Sequence, residues 1–232
     1  MPYFFLPDRY YLLLVLPAIL IALWAQLQVK STFARYSSVS VRGGLTGAEA
    51  ARRILDANGL QHVAVEPVAG NLTDHYDPRT QVVRLSQDVY YRSSVAAIGV
   101  AAHETGHAIQ HARNYAPLSI RTAIVPITQI GSSLSIPLVL LGYLMGNEPL
   151  VNIGILLFSL VTLFQLITLP VEFNASRRAL ATLDQYRMVT EEEHQGVRKV
   201  LTAAALTYVA SLLVSLANLL RLILLFGGRR RD

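Results

Sequence analysis

The sequence predicts a mostly α-helical membrane protein, in which a helical bundle of about four transmembrane or membrane-embedded helices carries a small α+β domain with a short β-hairpin or sheet. One observation is the low content of charge: 15% of the 232 residues are charged, whereas soluble domains carry roughly 25%. A second is that the apolar residues fall in four stretches, each long enough to cross about 30 Å of hydrocarbon. A third is a polar region after the first stretch, which has the periodicities of a small folded domain.

The positions of these stretches divide the chain into five segments. They are an N-terminal transmembrane helix (1–29), a polar segment with a small sheet and a helix (30–121), a transmembrane hairpin (122–170), a further polar helix (171–200), and a C-terminal membrane helix with a basic tail (201–232). No small-x-small cleavage site follows the first apolar stretch, so we expect a retained span and not a cleaved signal peptide.

The distribution of Lys and Arg predicts the orientation of the spans. Residues 30–121 contain ten of them, residues 177–199 contain five, and the turn at 146–149 contains none. The positive-inside rule therefore places both polar segments in the cytoplasm of a multi-pass plasma-membrane protein. The arginines near the C-terminus oppose this rule if the last stretch is a full span, which leaves the side of the C-terminus open.

The polar segment has clear local signals. Thr46 and Glu49 form a capping box, which predicts a helix start. Two strand-like stretches follow at 62–66 and 81–86, and His75 and Tyr76 stand among the turn-forming residues between them.

The segment HETGH at residues 103–107 matches the motif HExxH, on a helix predicted from Ser93 or Ser94 to about Arg113. His103 and His107 are four residues apart, so they share a helix face on which both imidazoles can bind one zinc ion at ~2.1 Å. Glu104 stands beside the first ligand and can accept a proton from a water molecule on the metal. The motif predicts one Zn2+ per chain and metal-assisted hydrolysis.

A catalytic zinc site needs a third protein ligand, which must be His, Asp or Glu because the chain has no cysteine. The downstream acidic candidates are Glu148, Glu172, Asp184 and the three glutamates at 191–193. Glu172 is the strongest of these. The hairpin at 122–169 crosses the membrane twice and returns the chain to the side of the HETGH helix just before this residue, whereas Glu148 lies in the turn across the bilayer.

Other residues are candidates for supporting roles. The candidates for an oxyanion donor are His75, Tyr76, Arg177, Arg178 and Tyr208. His111, one turn after His107, is expected at the surface or behind a ligand. The stretch Gln81, Val82, Val83, Arg84 and Leu85 is either an exposed sheet edge that binds an extended substrate or an internal hairpin strand.

Three segments in this order make the chain resemble the bacterial YugP-type membrane zinc metallopeptidases: NLTDHYDPRTQVVRLS, AAHETGHAIQHA and LPVEFNASRRALATL. The resemblance extends from about residue 36 to residue 213. It implies a zinc-dependent peptidase in which His103, His107 and Glu172 bind the metal and Glu104 is the general base.

The chain is more distantly similar to the HtpX and CAAX-prenyl peptidases, in which a Glu-x-x-x-Asp helix supplies the third ligand. Ser176 stands where their pattern has Asp, whose carboxylate would orient a zinc-bound His. Because serine lacks this carboxylate, Asn174 or another residue is expected to fill that role.

The leading hypothesis is a membrane-bound zinc endopeptidase that acts in the cytoplasm on peptides or membrane proteins. Its expected partners are the lipid bilayer, the substrate, and a regulatory membrane protein or a second copy of the chain; the basic residues flank apolar spans, so no nucleic acid is expected. An intramembrane site-2-type protease is disfavoured, because the sequence has no Asp-Gly and the apolar run before His103 is short. A non-catalytic membrane scaffold or chaperone with a retained zinc site is the remaining alternative.

Overall fold

The computed structural model of the chain describes residues 8–226. Its elements in chain order are a π-helical turn (Tyr11–Val15), helices α1 (Leu16–Ser37) and α2 (Gly47–Ala57), strands β1 (Ala64–Val68), β2 (His75–Asp77) and β3 (Val82–Ser86), and helices α3 (Gln87–Tyr90), α4 (Val95–Ala112), α5 (Ala116–Met145), α6 (Glu148–Gln185) and α7 (Glu191–Phe226). The predicted fold class, mostly helical with a small sheet, is confirmed. The predicted basic tail at 227–232 lies outside the described residues.

The chain forms two compact units, of which the first holds the apolar parts of four long helices. Among the described residues it comprises 8–26, 120–169 and 206–226. All four helices are long and apolar enough to cross a membrane. Large side chains along them are exposed, for example Leu13 and Leu144, as expected of helix surfaces that contact lipid.

Glycines bring α5 and α6 close together in this membrane unit. A Cβ atom on Gly142 would stand 2.7 Å from the backbone nitrogen of Val151, and one on Gly154 would stand 2.7 Å from the carbonyl oxygen of Ser135. Both separations are too short for a side chain. Small residues of this kind let helix backbones approach closely in membranes, where packing drives association.

A buried ion pair joins the beginning of the first span to the end of the last. Arg221 of α7 donates from Nε and Nη2 to Oδ2 of Asp8, at 2.8 and 2.6 Å. The other carboxylate oxygen of Asp8 accepts hydrogen bonds from the backbone N–H groups of Tyr10 and Tyr11. The side chains of Asp8 and Arg221 are 14% and 12% exposed, so this pair is well shielded from water.

The second unit comprises Leu27–Ser119 and Pro170–Ala205 and contains the sheet. The strand order is β1-β3-β2, with β1 parallel and β2 antiparallel to the central β3. Its hydrophobic core includes Ile54 of α2, Leu85 of β3, Ile98 of α4 and Leu183 of α6, all fully buried. Helix α4 is therefore held inside this unit over most of its length.

The predicted caps begin the predicted helices. In α2 the hydroxyl of Thr46 accepts from the N–H of Glu49, and the carboxylate of Glu49 accepts from the N–H of Thr46. Ser94 caps α4 by accepting from the N–H of Ala97. These bonds satisfy backbone donors that a helix start leaves without partners.

Two predictions of local structure are wrong. Residues 75–77, expected as a turn, form β2, because pairing with β3 (Tyr76 opposite Val83) outweighs the weak local preference. Residues 171–200, expected as a separate helix, are divided between α6, which continues through Pro170 to Gln185, and α7. Proline removes one backbone donor but keeps a helical φ, and apolar helices tolerate that loss when neighbouring groups compensate.

Candidate metal centre

Helix α4 presents the HETGH motif inside the second unit. His103 and His107 are one turn apart, and their ring centroids are separated by 4.8 Å. Glu104 is buried to 9% exposure, beside the first imidazole in the sequence. The predicted helical context of the motif is therefore present.

Helix α6 brings Glu172 to the two imidazoles. Its Oε2 atom lies 3.1 Å from Nε2 of His103 and 3.6 Å from Nε2 of His107. In a tetrahedral zinc site with bonds of about 2.1 Å, neighbouring ligand atoms are about 3.4 Å apart. The two distances bracket this value, and all three donor atoms lie within 4.8 Å of one another, so the three residues fit a zinc ion.

Among the described residues, His103, His107 and Glu172 are the group of His and acidic side chains that converges in this way. The other acidic candidates, Glu148, Asp184 and the glutamates at 191–193, do not join it. Glu193 instead accepts hydrogen bonds from the backbone of Thr190 and of Arg42.

A glycine in the motif permits the approach of α4 to α6. A Cβ atom on Gly106 would stand 2.6 Å from the carbonyl oxygen of Ala175. The backbones of α4 and α6 are therefore in direct contact at Gly106 and Ala175, close to the ligands on both helices. Glu172 lies less than one helical turn from this contact.

The Nδ1 atoms of both imidazoles have polar partners. Nδ1 of His103 lies 3.1 Å from the hydroxyl of Ser176, and Nδ1 of His107 lies 3.0 Å from Oε1 of Gln110. Ser176 thus contacts one of the two imidazoles, as a carboxylate at this position was expected to do, and Asn174 contacts Gln110 instead. A partner on Nδ1 fixes the ring so that Nε2 faces the metal.

The electrostatic surroundings of His107 favour a cation. Burial lowers the pKa of His107, but the Glu172 carboxylate, 3.6 Å from Nε2, and the negative charge of Glu104 raise it, and the net shift of this pKa is upward. The same negative field that stabilises the protonated ring in the metal-free protein would stabilise a divalent ion between the ligands.

Asp74 is a half-buried carboxyl group near Glu104 that sequence reasoning did not identify. Burial raises its pKa, hydrogen bonds from Ser86 lower it, and the negative charge of Glu104 raises it, with a net upward shift. Its Oδ1 accepts from the N–H of Ser86 at 2.7 Å. Asp74 therefore ties the segment before β2 to the end of β3 close to the HETGH helix.

Tyr76 lies against the same helix, one turn beyond His107. Its hydroxyl is 2.8 Å from Nδ1 of His111. Burial, together with the negative charge of Asp77, raises the pKa of Tyr76 to about 12, so the phenol stays protonated at neutral pH and can donate a hydrogen bond. His111, expected at the surface or behind a ligand, is the partner of this phenol.

The remaining candidates have varied positions. His75 is exposed and contacts the carbonyl of Thr73. Arg177 is exposed, whereas Arg178 donates to Asn174. Tyr208 belongs to the membrane unit.

The hypothesis that residues 81–85 form an exposed sheet edge is wrong. Val82, Val83, Arg84 and Leu85 belong to β3, which pairs with β1 on one side and with β2 on the other, and Gln81 lies in the turn before it. The alternative, an internal hairpin strand, is what the structure contains. Within the described residues, the edges of the sheet are β1 and β2.

Comparison with known proteins identifies the family of the chain. The family model described as "Putative neutral zinc metallopeptidase" matches residues 11–227. The chain is 52% identical over 222 residues to the "Putative membrane protease YugP" of Bacillus subtilis (strain 168). The aligned region covers 96% of this chain and 99% of that protein. No solved structure matches the chain. With a family model that spans nearly the whole sequence and a relative of this similarity, the chain belongs to the neutral zinc metallopeptidase family.

Proposed function

We propose that the chain is a membrane-bound, zinc-dependent endopeptidase that hydrolyses peptide bonds with Glu104 as general base. The observation that carries this proposal is the convergence of two imidazole nitrogens and one carboxylate oxygen within 4.8 Å, with Glu104 following His103 directly in the sequence. Three protein ligands leave a tetrahedral zinc ion one open position, as in catalytic and not in structural sites.

Each residue of the centre has a distinct role in this reaction. His103, His107 and Glu172 would hold zinc, which supplies a Lewis acid that brings the pKa of a bound water toward about 7. Glu104 accepts the proton of the attacking water and returns it to the leaving amine. Tyr76 of β2, a neutral donor whose hydroxyl contacts His111 of α4, is the candidate to stabilise the negative charge on the carbonyl oxygen.

The free edge of β2 is the proposed binding site for an extended segment of substrate. Strand β2 packs against α4 through Tyr76 and His111, and its other edge has no strand partner among the described residues. A peptide added there would run beside the metal ligands and bond through its main chain. N-methylation of the substrate backbone near the scissile bond is expected to raise KM; an unchanged KM would contradict this binding mode.

We infer that the site faces the cytoplasm and that the start of the first span and the end of the fourth lie on the opposite side. The Lys and Arg bias of residues 30–121 and 177–199 supports the first point. The ion pair between Asp8 and Arg221 supports the second, since it joins the start of the first span to the end of the fourth.

The natural absence of cysteine makes this topology simple to test. Single cysteines are introduced at Glu148, the exposed first residue of α6 after the turn between two spans, and at Arg53, exposed on α2. A membrane-impermeant maleimide should label Glu148→Cys in intact cells and Arg53→Cys after permeabilisation. The reverse pattern would contradict the orientation.

The variant Glu104→Gln separates an enzyme from a non-catalytic scaffold that retains zinc. The amide keeps the shape of the side chain but cannot accept the proton, so hydrolysis of fluorescein-labelled casein should fall by at least about 100-fold while zinc content stays at one per chain. Loss of cleavage with retained zinc supports the peptidase. Zinc-loaded wild type and variant with the same turnover would support the scaffold.

A further inference from the structure

Gln110 is fully buried on α4, three residues after His107, and it bonds to both ligand-bearing helices. Its Oε1 lies 3.0 Å from Nδ1 of His107. Its Nε2 donates to the carbonyl of Val171 at 2.7 Å and to Oδ1 of Asn174 at 3.0 Å. Val171 is the residue before Glu172, so this amide connects one ligand directly to the backbone that carries another.

The orientation of this amide follows from the groups at the far ends of the chain of bonds. The carbonyl of Val171 can only accept a hydrogen bond, so the Gln110 nitrogen must face it. Arg178 Nε can only donate, and it donates to Oδ1 of Asn174 at 2.7 Å, so this oxygen also requires the Gln110 nitrogen as a donor. Two independent contacts therefore assign the amide in the same way.

This assignment fixes the tautomer of His107. With its nitrogen committed to α6, Gln110 presents Oε1 to the imidazole, and Nδ1 of His107 must carry a proton to donate to it. The lone pair of the neutral ring is then on Nε2, the atom that lies 3.6 Å from Glu172. A zinc ion can bind at that atom without a change of tautomer.

We propose that Gln110, held by Asn174, is a positioning residue that fixes the tautomer and ring orientation of His107 and the distance between the helices bearing His107 and Glu172. This inference rests on the zinc site of the proposed function. It assigns a role to a residue that neither binds the metal nor contacts the reacting atoms. Partners of metal-bound imidazoles typically change metal affinity by about 10- to 100-fold when they are removed.

The test compares Gln110→Met with Thr105→Val in the purified full-length protein in detergent. Met has a similar shape but cannot bond to either helix. Thr105 is equally buried on the same helix, but its hydroxyl bonds to the carbonyl of Ala102 on its own helix. Competition with a chromophoric chelator should show zinc affinity reduced by about 10- to 100-fold in Gln110→Met and unchanged in Thr105→Val.

Asn174 supplies a rescue that a purely structural role would not predict. Asn174→Asp keeps the oxygen that accepts from Gln110 and Arg178 and should bind zinc like wild type, whereas Asn174→Leu should bind more weakly. These variants also decide the matter if Gln110→Met does not fold. The visible absorption spectrum of the Co2+-loaded protein should change shape in Asn174→Leu, because the spectrum reports coordination geometry.

The outcomes distinguish this inference from the proposed function. Wild type that binds no zinc would overturn the proposed function. Wild type that binds zinc, with the same affinity and Co2+ spectrum in Gln110→Met and Asn174→Leu, would overturn the positioning role alone.

Discussion

Gly106→Ala tests whether the contact between α4 and α6 sets the geometry of the metal centre. The added Cβ would stand 2.6 Å from the carbonyl oxygen of Ala175, 3.1 Å from its carbonyl carbon and 3.2 Å from its Cα. All three atoms belong to the backbone, so no side-chain rotation relieves the clash. Since carbon and carbonyl oxygen approach to about 3.3 Å, the helices must separate by about 0.7 Å.

A separation of this size matters because Glu172 lies on α6 three residues before Ala175. Metal–ligand distances are specified to within about 0.2 Å, so moving α6 away from α4 should weaken zinc binding by at least about 10-fold, as the loss of other supporting contacts does. Overpacking also costs about 1–3 kcal/mol of stability, offset by about 1 kcal/mol of better helix propensity.

Gly99→Ala is the matched control on the same helix. Its Cβ would meet Cγ1 of Val197 at 3.4 Å, an ordinary contact with a side chain. This variant should keep its zinc affinity and gain up to about 1 kcal/mol of stability. Zinc titration against a fluorescent chelator and denaturant unfolding of the metal-free protein measure both quantities. Equal zinc affinity in Gly106→Ala and Gly99→Ala would refute the reasoning.

Three further variants test other contacts. Ser176→Ala removes the hydroxyl that contacts Nδ1 of His103 and should weaken zinc binding by about 10-fold. Ser176→Asp keeps an acceptor at this position and should bind zinc at least as tightly as wild type. Equal zinc affinities of wild type and Ser176→Ala, measured by dialysis, would argue against a role for this contact. Tyr76→Phe should lower kcat on labelled casein by about 100-fold at full zinc occupancy, and an unaltered kcat would exclude the phenol as a donor in the reaction. Asp8→Asn removes the carboxylate charge that faces the buried Arg221 and should cost about 3 kcal/mol of stability, whereas Asp8→Leu with Arg221→Met should recover most of that loss. Thermal unfolding in detergent that does not distinguish these variants would show that the ion pair contributes nothing to stability.

The parts of the fold that depend on local chemistry could be predicted from the sequence. Four apolar stretches gave four helices long enough to span a membrane, and the caps at Thr46 and Ser94 begin α2 and α4. Strand β2 could not be predicted in this way, because three residues carry too little pattern and the pairing of Tyr76 with Val83 is a tertiary contact. For the same reason, the sequence could not distinguish an edge strand from a central one at residues 82–86.

In the candidate site, too, the features set by local sequence could be predicted, whereas those set by tertiary contacts could not. The spacing of His103 and His107 is a property of one helix, and the two membrane crossings of the hairpin predicted Glu172 as the third ligand. Gln110 lies on the face of the motif helix three residues after His107, which is a signal that the sequence does contain. Its contacts with Val171 and Asn174, however, depend on how closely α4 and α6 pack.

The most direct test of the metal centre is the zinc content of the purified full-length protein, measured by elemental analysis in wild type, His103→Ala and Glu172→Ala. The convergence of these side chains predicts one zinc ion per wild-type chain and little or none in either variant after dialysis. Equal zinc content in all three proteins would contradict the assignment of the ligands.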